Sequence, residues 1–293
     1  MAVPRFDLQS HSTFSDGALA PADVVGRAAQ AGIELLALSD HDTVDGVAEA
    51  LAAGREAGIA VVTAVEVSAV DPPHEDLHVL GYAIDHRDPD LLAALAGYRG
   101  ERAARADRMA AALRELGWAL DAAPLAARRA GDLPIGRPHL AEAAFAHPAN
   151  AQRVAAEGLE TFSDLLVAYL TPGAPAYRGR ERPTVAEAIA TIHAAGGLAV
   201  WAHPFWDVED PAAVVASLER FAAAGLDGVE AFYVTHTEAQ VRLLHEHALR
   251  LGLLATGSAD FHGPEHPRFA RFGAFATYGL EPVLGRVAQP YLD

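Results

Sequence analysis

The sequence contains no cysteine and no lysine. Without cysteine there is no disulfide, no thiol nucleophile and no thiolate zinc site. Without lysine there is no Schiff-base amine and no phosphate-loop lysine. All 22 strongly basic residues are therefore arginines. Any phosphate must be held by arginine, backbone N–H groups or metal. Long apolar runs are missing too: none reaches the roughly 18 residues of a membrane span. The N-terminus shows no basic start followed by an apolar stretch, the mark of a signal peptide. These absences predict a cytoplasmic protein with no membrane partner.

Positive charge is scarce, and the formal net charge is −17. A surface of that sign repels polyanions, which argues against duplex DNA as a partner. A small phosphorylated substrate stays compatible, because metal ions reverse the local sign of a carboxylate-rich cleft. The 293 residues, 51% of them hydrophobic, suffice for one large core with a small insert. The expected assembly is a monomer or a small homo-oligomer.

The first eighty residues alternate short apolar runs with amphipathic segments. "RFDLQ", "ELLALS", "IAVVTAVEVS" and "LHVLGYAI" read as strands, and 21–31 and 45–57 read as helices. Such βα alternation implies an α/β domain with a mainly parallel sheet or barrel. From about Asp88 to Leu170 the pattern turns helical, with the Arg/Ala-rich run "RGERAARADRMAAALRELG". "TPGAPAYRGRERP" at 171–183 reads as the return linker. Alternation then resumes, with strands at "GLAVWAH", "LDGVEAF" and "LLATGSAD". The expected organisation is a barrel-like domain from 1–95 and 184–293, with a helical insert at 96–183.

Histidines and acids gather where these strands end. His11 and Asp16 follow the first strand and His41 the second; Glu66 and His78 lie in the next two. His203 follows a later strand, and Asp260 and His262 the last. In a βα barrel the C-terminal strand ends share one face, so six separated pieces of sequence converge on one cleft. Imidazole with carboxylate suits Zn, Mn or Fe(II), and so many donors exceed the needs of one ion. Two or three ions are implied, with Glu66 placed to bridge a pair. A lone histidine is more often structural than functional. His74, His86, His147, His193, His236, His245, His247 and His266 take that reading.

"DLQSHSTFSDG", "LSDHDT", "VEVS", "LHVLGY", "GRPHLA", "AHP" and "SADFHG" together resemble the polymerase-and-histidinol-phosphatase (PHP) family of metal phosphoesterases. The resemblance runs from about residue 5 to 275. The branch with a helical insert is the most similar, the one that contains phosphatases of nucleoside 3′,5′-bisphosphates and of short RNA 5′ ends. The resemblance implies a distorted (β/α)7 TIM-like barrel with three metals. It implies Gln9, His11, Glu66 and Asp260 around one ion. Glu66, His78 and His203 would hold a second, and Asp16, His41 and His262 a third. One position departs from the pattern: the family has histidine where this chain has Gln9. An amide oxygen is a neutral, weaker and harder ligand than imidazole. Either the first site is weakened, more selective for Mn or Mg, or partly empty, or Gln9 turns away and water fills the place.

"GRPHLA" starts a helix in the insert. Arg137 and His139 are thus presented where backbone N–H groups point outward, which suits a phosphate. The resemblance implies the same substrate role. Phe205 and Trp206 offer rings for stacking on a base, or for core packing. Asp40 and Asp42 flank His41 and are expected to orient it. Arg99, Arg102, Arg105 and Arg108 recur every third residue, which offers a guide for RNA phosphates or, as Glu101 and Asp107 beside them favour, predicts a solvated helix face.

The expected reaction is hydrolysis of a phosphomonoester of a small nucleotide by metal-activated water. Arg137 would stabilise the phosphoryl oxygens and His139 assist the leaving oxygen. Hydrolysis of histidinol phosphate or of a cyclic phosphate on the same metals is the alternative within enzymes. A non-catalytic binding module with a lapsed metal site is the alternative outside them.

Overall fold

A computed structural model describes residues 3–130, 135–179 and 182–292. The start of the insert motif, Leu133 and Pro134, and the linker residues Arg180 and Glu181 lie outside the described residues. The chain divides into two compact units, Met1–Ala96 with Arg182–Asp293, and Gly97–Glu181.

The first unit holds seven strands: β1 (Phe6–Asp7), β2 (Leu35–Leu38), β3 (Ala60–Asp71), β4 (His74–Tyr82), β5 (Leu198–Trp201), β6 (Gly228–Tyr233) and β7 (Leu254–Ser258). They form one sheet in sequence order. The sheet curls until its ends meet. Leu8 N–H donates to the Gly257 carbonyl at 3.2 Å and His11 N–H to the Phe261 carbonyl at 2.8 Å. This is the distorted seven-stranded α/β barrel that the sequence predicts.

Pairing is parallel from β1 to β3 and again from β5 to β7. β4 is antiparallel to both of its neighbours, against the expectation of a mainly parallel barrel at this point. The reason is length. Only Pro72 and Pro73 separate β3 from β4. A parallel crossover needs a dozen or more residues, whereas two can turn a hairpin. The hairpin sets Ser68 opposite His78 and Glu66 opposite Leu80.

Alternation along the strands supplies two apolar layers. Leu35 and Ala37 pack with Phe6, Leu8, Val62, Leu80 and Val200 in one cluster. Leu36 and Leu38 point the other way, onto Val24, Val25 and Ala28 of the helix Pro21–Gln30. Burial on both faces explains why these strands read as continuous apolar runs. The helices Val185–Ala194 and Glu238–Leu251 are fixed at their starts by Thr184 with Glu187 and by Thr237 with Gln240, each pair bonding reciprocally. Among the described residues no helix is long and apolar enough to cross a membrane.

The second unit is helical and has its own core of Met109, Leu113, Trp118, Leu140, Leu165 and Leu170. Arg153 lies over the Trp118 ring at 4.2 Å and donates to the Leu116 carbonyl at 2.6 Å. The Asn150 amide bonds the Ala119 and Ala144 carbonyls. The arginine series is not wholly the solvated face expected of it. Arg108 does meet Glu101 at 2.6 Å, but Arg105 is buried and donates to the Arg178 carbonyl at 2.8 Å.

Candidate metal centre

The loop after β1 is shaped by serine, aspartate and glycine. Gly17 N–H closes it onto the Ser12 carbonyl at 2.9 Å. A Cβ on Gly17 would stand 2.2 Å from the His11 carbonyl oxygen, so only glycine fits. Asp40, at the end of β2, accepts from Ser12 N–H at 2.7 Å, Ser12 Oγ at 2.7 Å and Ser15 Oγ at 2.6 Å. It thereby ties down the loop that carries His11 and Asp16. Asp42 Oδ1 accepts from Ser68 N–H at 2.9 Å, joining the loop of His41 to β3.

Glu66 is fully buried at the centre. Its two oxygens face different partners. Oε2 lies 3.1 Å from His11 Nε2, 3.7 Å from His41 Nδ1 and 2.8 Å from Gln9 Nε2. Oε1 lies 2.8 Å from His78 Nδ1 and 3.1 Å from His203 Nε2. Asp260 Oδ1 is 3.1 Å from His11 Nε2. Asp16 stands at the rim, its side chain half exposed, 3.6 Å from His41 Nε2 and 3.4 Å from His262 Nε2.

Among the described residues three groups hold their ligand atoms within 4.8 Å of one another: His11, Glu66 and Asp260; His41, Glu66 and His78; and His11, Asp16, His41 and His262. All nine residues expected to surround metal thus lie together in the first unit. His11 and His41 each serve two groups, which strand position alone does not reveal.

The donor set fits divalent ions. His11 Nε2, His41 Nδ1 and Asp260 Oδ1 are buried without a hydrogen-bond partner. Such orphaned lone pairs are costly unless something fills the space between them. His78 Nδ1 and His203 Nε2 lie 3.4 Å apart and converge on the same Glu66 oxygen. The electrostatics say the same. Burial alone would lower His11, but Asp260 and Glu66 hold it well above its ordinary value. Burial likewise opposes charge on His203, and Glu66 pushes it up to about 9. Glu66 is held well below the carboxylate range despite its burial, by the surrounding imidazoles. His41 falls to about 4 because its burial outweighs the acids near it. The acids thus favour positive charge at His11 and His203, as they would favour a cation.

Three residues of the centre hold left-handed backbone without being glycine: Asp42 (φ 54°), His203 (φ 28°) and Asp260 (φ 55°). Such conformations cost of order 1–3 kcal/mol each and gather at functional sites.

The profile of the PHP domain matches residues 7–129. A 3′,5′-nucleoside bisphosphate phosphatase of Chromobacterium violaceum is 36% identical over 89% of this chain and 88% of its own length. The chain belongs to the PHP family. A 5′-3′ exoribonuclease of Haemophilus influenzae is 33% identical over 89% of this chain and 90% of its own. The solved structure of a metal-dependent phosphoesterase from Bifidobacterium adolescentis superposes with a TM-score of 0.73 at 28% identity. That match covers 98% of this chain and 95% of the other. This PHP protein is a metal-dependent phosphoesterase.

The remaining expected site residues fall as follows. Trp206 is half exposed, with the Arg268 guanidinium 5.3 Å from its ring centre and Phe269 at 5.7 Å. Phe205 is half-buried and packs edge-on against His236 at 5.5 Å. Arg137 begins the helix Arg137–Phe145 of the second unit, and His139 Nδ1 accepts from Gly136 N–H at 3.0 Å. Among the histidines read as structural, His236 bonds the Ala231 carbonyl, His245 the Glu281 carbonyl and His193 the Asp227 carboxylate.

Sequence reasoning missed three buried supports. Tyr233 donates to Asp260 Oδ2 at 2.8 Å. Glu230 Oε2 accepts from His203 N–H at 2.9 Å, and burial pushes Glu230 up to about 8. Ser258 Oγ lies 2.5 Å from Glu230 Oε1. The signal available was a glutamate inside the apolar run "LDGVEAF". A buried acid in a strand needs a partner.

Proposed function

We propose that this PHP protein hydrolyses the phosphomonoester of a small nucleotide, a nucleoside 3′,5′-bisphosphate or a related 5′ end, with two or three divalent ions of Mn, Zn, Fe or Mg. The observation that carries the reading is Glu66, whose two oxygens face two separate sets of imidazoles. That is the arrangement of a carboxylate shared between ions. Gln9, His11, Glu66 and Asp260 would border one ion. Glu66, His78 and His203 would hold a second, and Asp16, His41 and His262 a third. When bound, the ions supply an activated water and neutralise phosphoryl charge. The rest is the work of this chain. Asp40 and Asp42 fix the loops that carry the ligands. Half-exposed Asp16 marks the open side, where a phosphate reaches the centre. Trp206, flanked by Arg268, offers the base a stacking face.

Arg137 as a grip on phosphate and His139 as an aid to the leaving oxygen rest on the "GRPHLA" motif and the helix start within their own unit. A small nucleotide, rather than duplex DNA, also suits the net charge of −17.

A substrate panel tests the reading: adenosine 3′,5′-bisphosphate, histidinol phosphate and a five-membered cyclic phosphate, each with Mn²⁺ and purified protein. The expected result is a kcat/KM at least about tenfold higher for the bisphosphate, a difference of about 1.4 kcal/mol. Preference for either other substrate would overturn the nucleotide reading and leave the phosphoesterase class standing.

A further inference from the structure

Gln9 is fully buried at the end of β1. Its side-chain amide has two polar neighbours. Nε2 is 2.8 Å from Glu66 Oε2, and Oε1 is 3.2 Å from Ser258 Oγ. The direction of this amide is dictated by its neighbours. A carboxylate oxygen accepts hydrogen bonds and does not donate them, so the group facing Glu66 must be the NH₂. Turning the amide over would set two oxygens against each other at hydrogen-bond distance. Ser258 in turn has a hydroxyl proton that the Gln9 carbonyl can accept. Glu230 Oε1, 2.5 Å from Ser258 Oγ, shares that single proton, and Glu230 Oε2 accepts from His203 N–H at 2.9 Å.

An amide nitrogen has no free lone pair for a metal. In this arrangement position 9 supplies a donor to Glu66 and no ligand. The oxygen it holds is the one that faces His11 Nε2 at 3.1 Å. The group formed by His11, Glu66 and Asp260 then offers three ligand atoms. Three protein ligands with a place left for water or substrate is the pattern of catalytic rather than structural ions.

We propose that Gln9 is a positioning residue, which orients the shared carboxylate of Glu66 by hydrogen bonding, and that the ion between His11, Glu66 and Asp260 has three side-chain ligands and one exchangeable place beside Gln9. That ion is exchangeable, and it is lost on dialysis at low free metal. The place beside Gln9 is completed by water or by a substrate oxygen. Ser258 and Glu230 act behind Gln9, keeping its carbonyl turned away.

The inference rests on the metal-centre reading and not on the nucleotide. Its test is read without turnover, so failure to release phosphate would sink the substrate and leave this account intact. Mn²⁺ content is measured by elemental analysis after equilibrium dialysis over a range of free Mn²⁺, for the parent and for Gln9→His. The account expects the variant to retain one more ion than the parent at low free Mn²⁺, with that ion held about tenfold tighter or better. Equal content and equal affinity would overturn it. A crystal structure of the Mn²⁺-loaded parent is the second measurement, and it decides alone if the variant does not fold. The account expects the Gln9 amide between Glu66 and Ser258, clear of the ion. A Gln9 oxygen at bonding distance from the ion, roughly 2.2 Å, would overturn it.

Discussion

The Tyr233 hydroxyl donates to Asp260 Oδ2 at 2.8 Å and leaves Oδ1 facing His11 Nε2 at 3.1 Å. One oxygen is anchored so that the other is aimed. Outer partners of ligands typically contribute 10- to 100-fold to metal affinity. Tyr233→Phe is therefore expected to weaken Mn²⁺ binding by about that factor while the chain stays folded. A Mn²⁺ titration followed by calorimetry checks it, and an unchanged dissociation constant would contradict the aiming role.

Chelation should destabilise the first unit. Without ions, the carboxylates of Glu66, Asp260 and Asp16 share one small volume, with only imidazoles to balance them. Ions that bind the folded state alone stabilise it by about 2.7 kcal/mol at a hundred times Kd. The melting temperature is expected to fall on adding chelator and to recover on adding Mn²⁺. Indifference to both would count against a metal centre.

Asp7 gives a pH signature. It is fully buried in β1, and burial pushes it up to about 7 although Ala259 and Gly273 donate N–H bonds to its oxygens. In the unfolded chain it ionises near 3.8. Between these values the folded state keeps a proton that the unfolded state has lost, so this group's contribution to stability falls as pH rises. Above pH 7 the loss is complete and of order 4 kcal/mol. Asp7→Asn is expected to gain stability relative to the parent at pH 8 compared with pH 4, as read from denaturant midpoints. Parallel pH profiles would contradict the assignment.

In the second unit Trp118 is buried under Arg153. Trp118→Ala should cost about 3–5 kcal/mol by leaving a cavity in that small core. Mn²⁺ content should not change, because every candidate ligand belongs to the other unit. Loss of bound metal along with the helical core would contradict that independence.

Much of the centre was legible because its residues come as ordered motifs. "SDG" after β1, "SDHD" after β2 and "SADFH" after β7 carry both candidate ligands and the turn residues that place them. The antiparallel β4 was hidden, although the two-residue link at Pro72 and Pro73 announced it. Glu230, Tyr233 and Ser258 were missed because each is a single polar residue in an apolar strand, and nothing local shows which side chain it meets. That His11 and His41 each stand near two groups was hidden for a similar reason. A strand position gives a face of the barrel, and not the direction of a ring nitrogen. Gln9 was visible as a departure, but its direction depended on Ser258, 249 residues away.

The account stands on Glu66 as the carboxylate shared by the metal centre. The most direct test is phosphate release from adenosine 3′,5′-bisphosphate by the parent and by Glu66→Gln, each with Mn²⁺ and after chelation. The account predicts Mn²⁺-dependent release by the parent and a rate lower by more than about 100-fold, the upper end of what an outer partner contributes, for a folded Glu66→Gln. Release that survives chelation, or a Glu66→Gln variant as active as the parent, would contradict it.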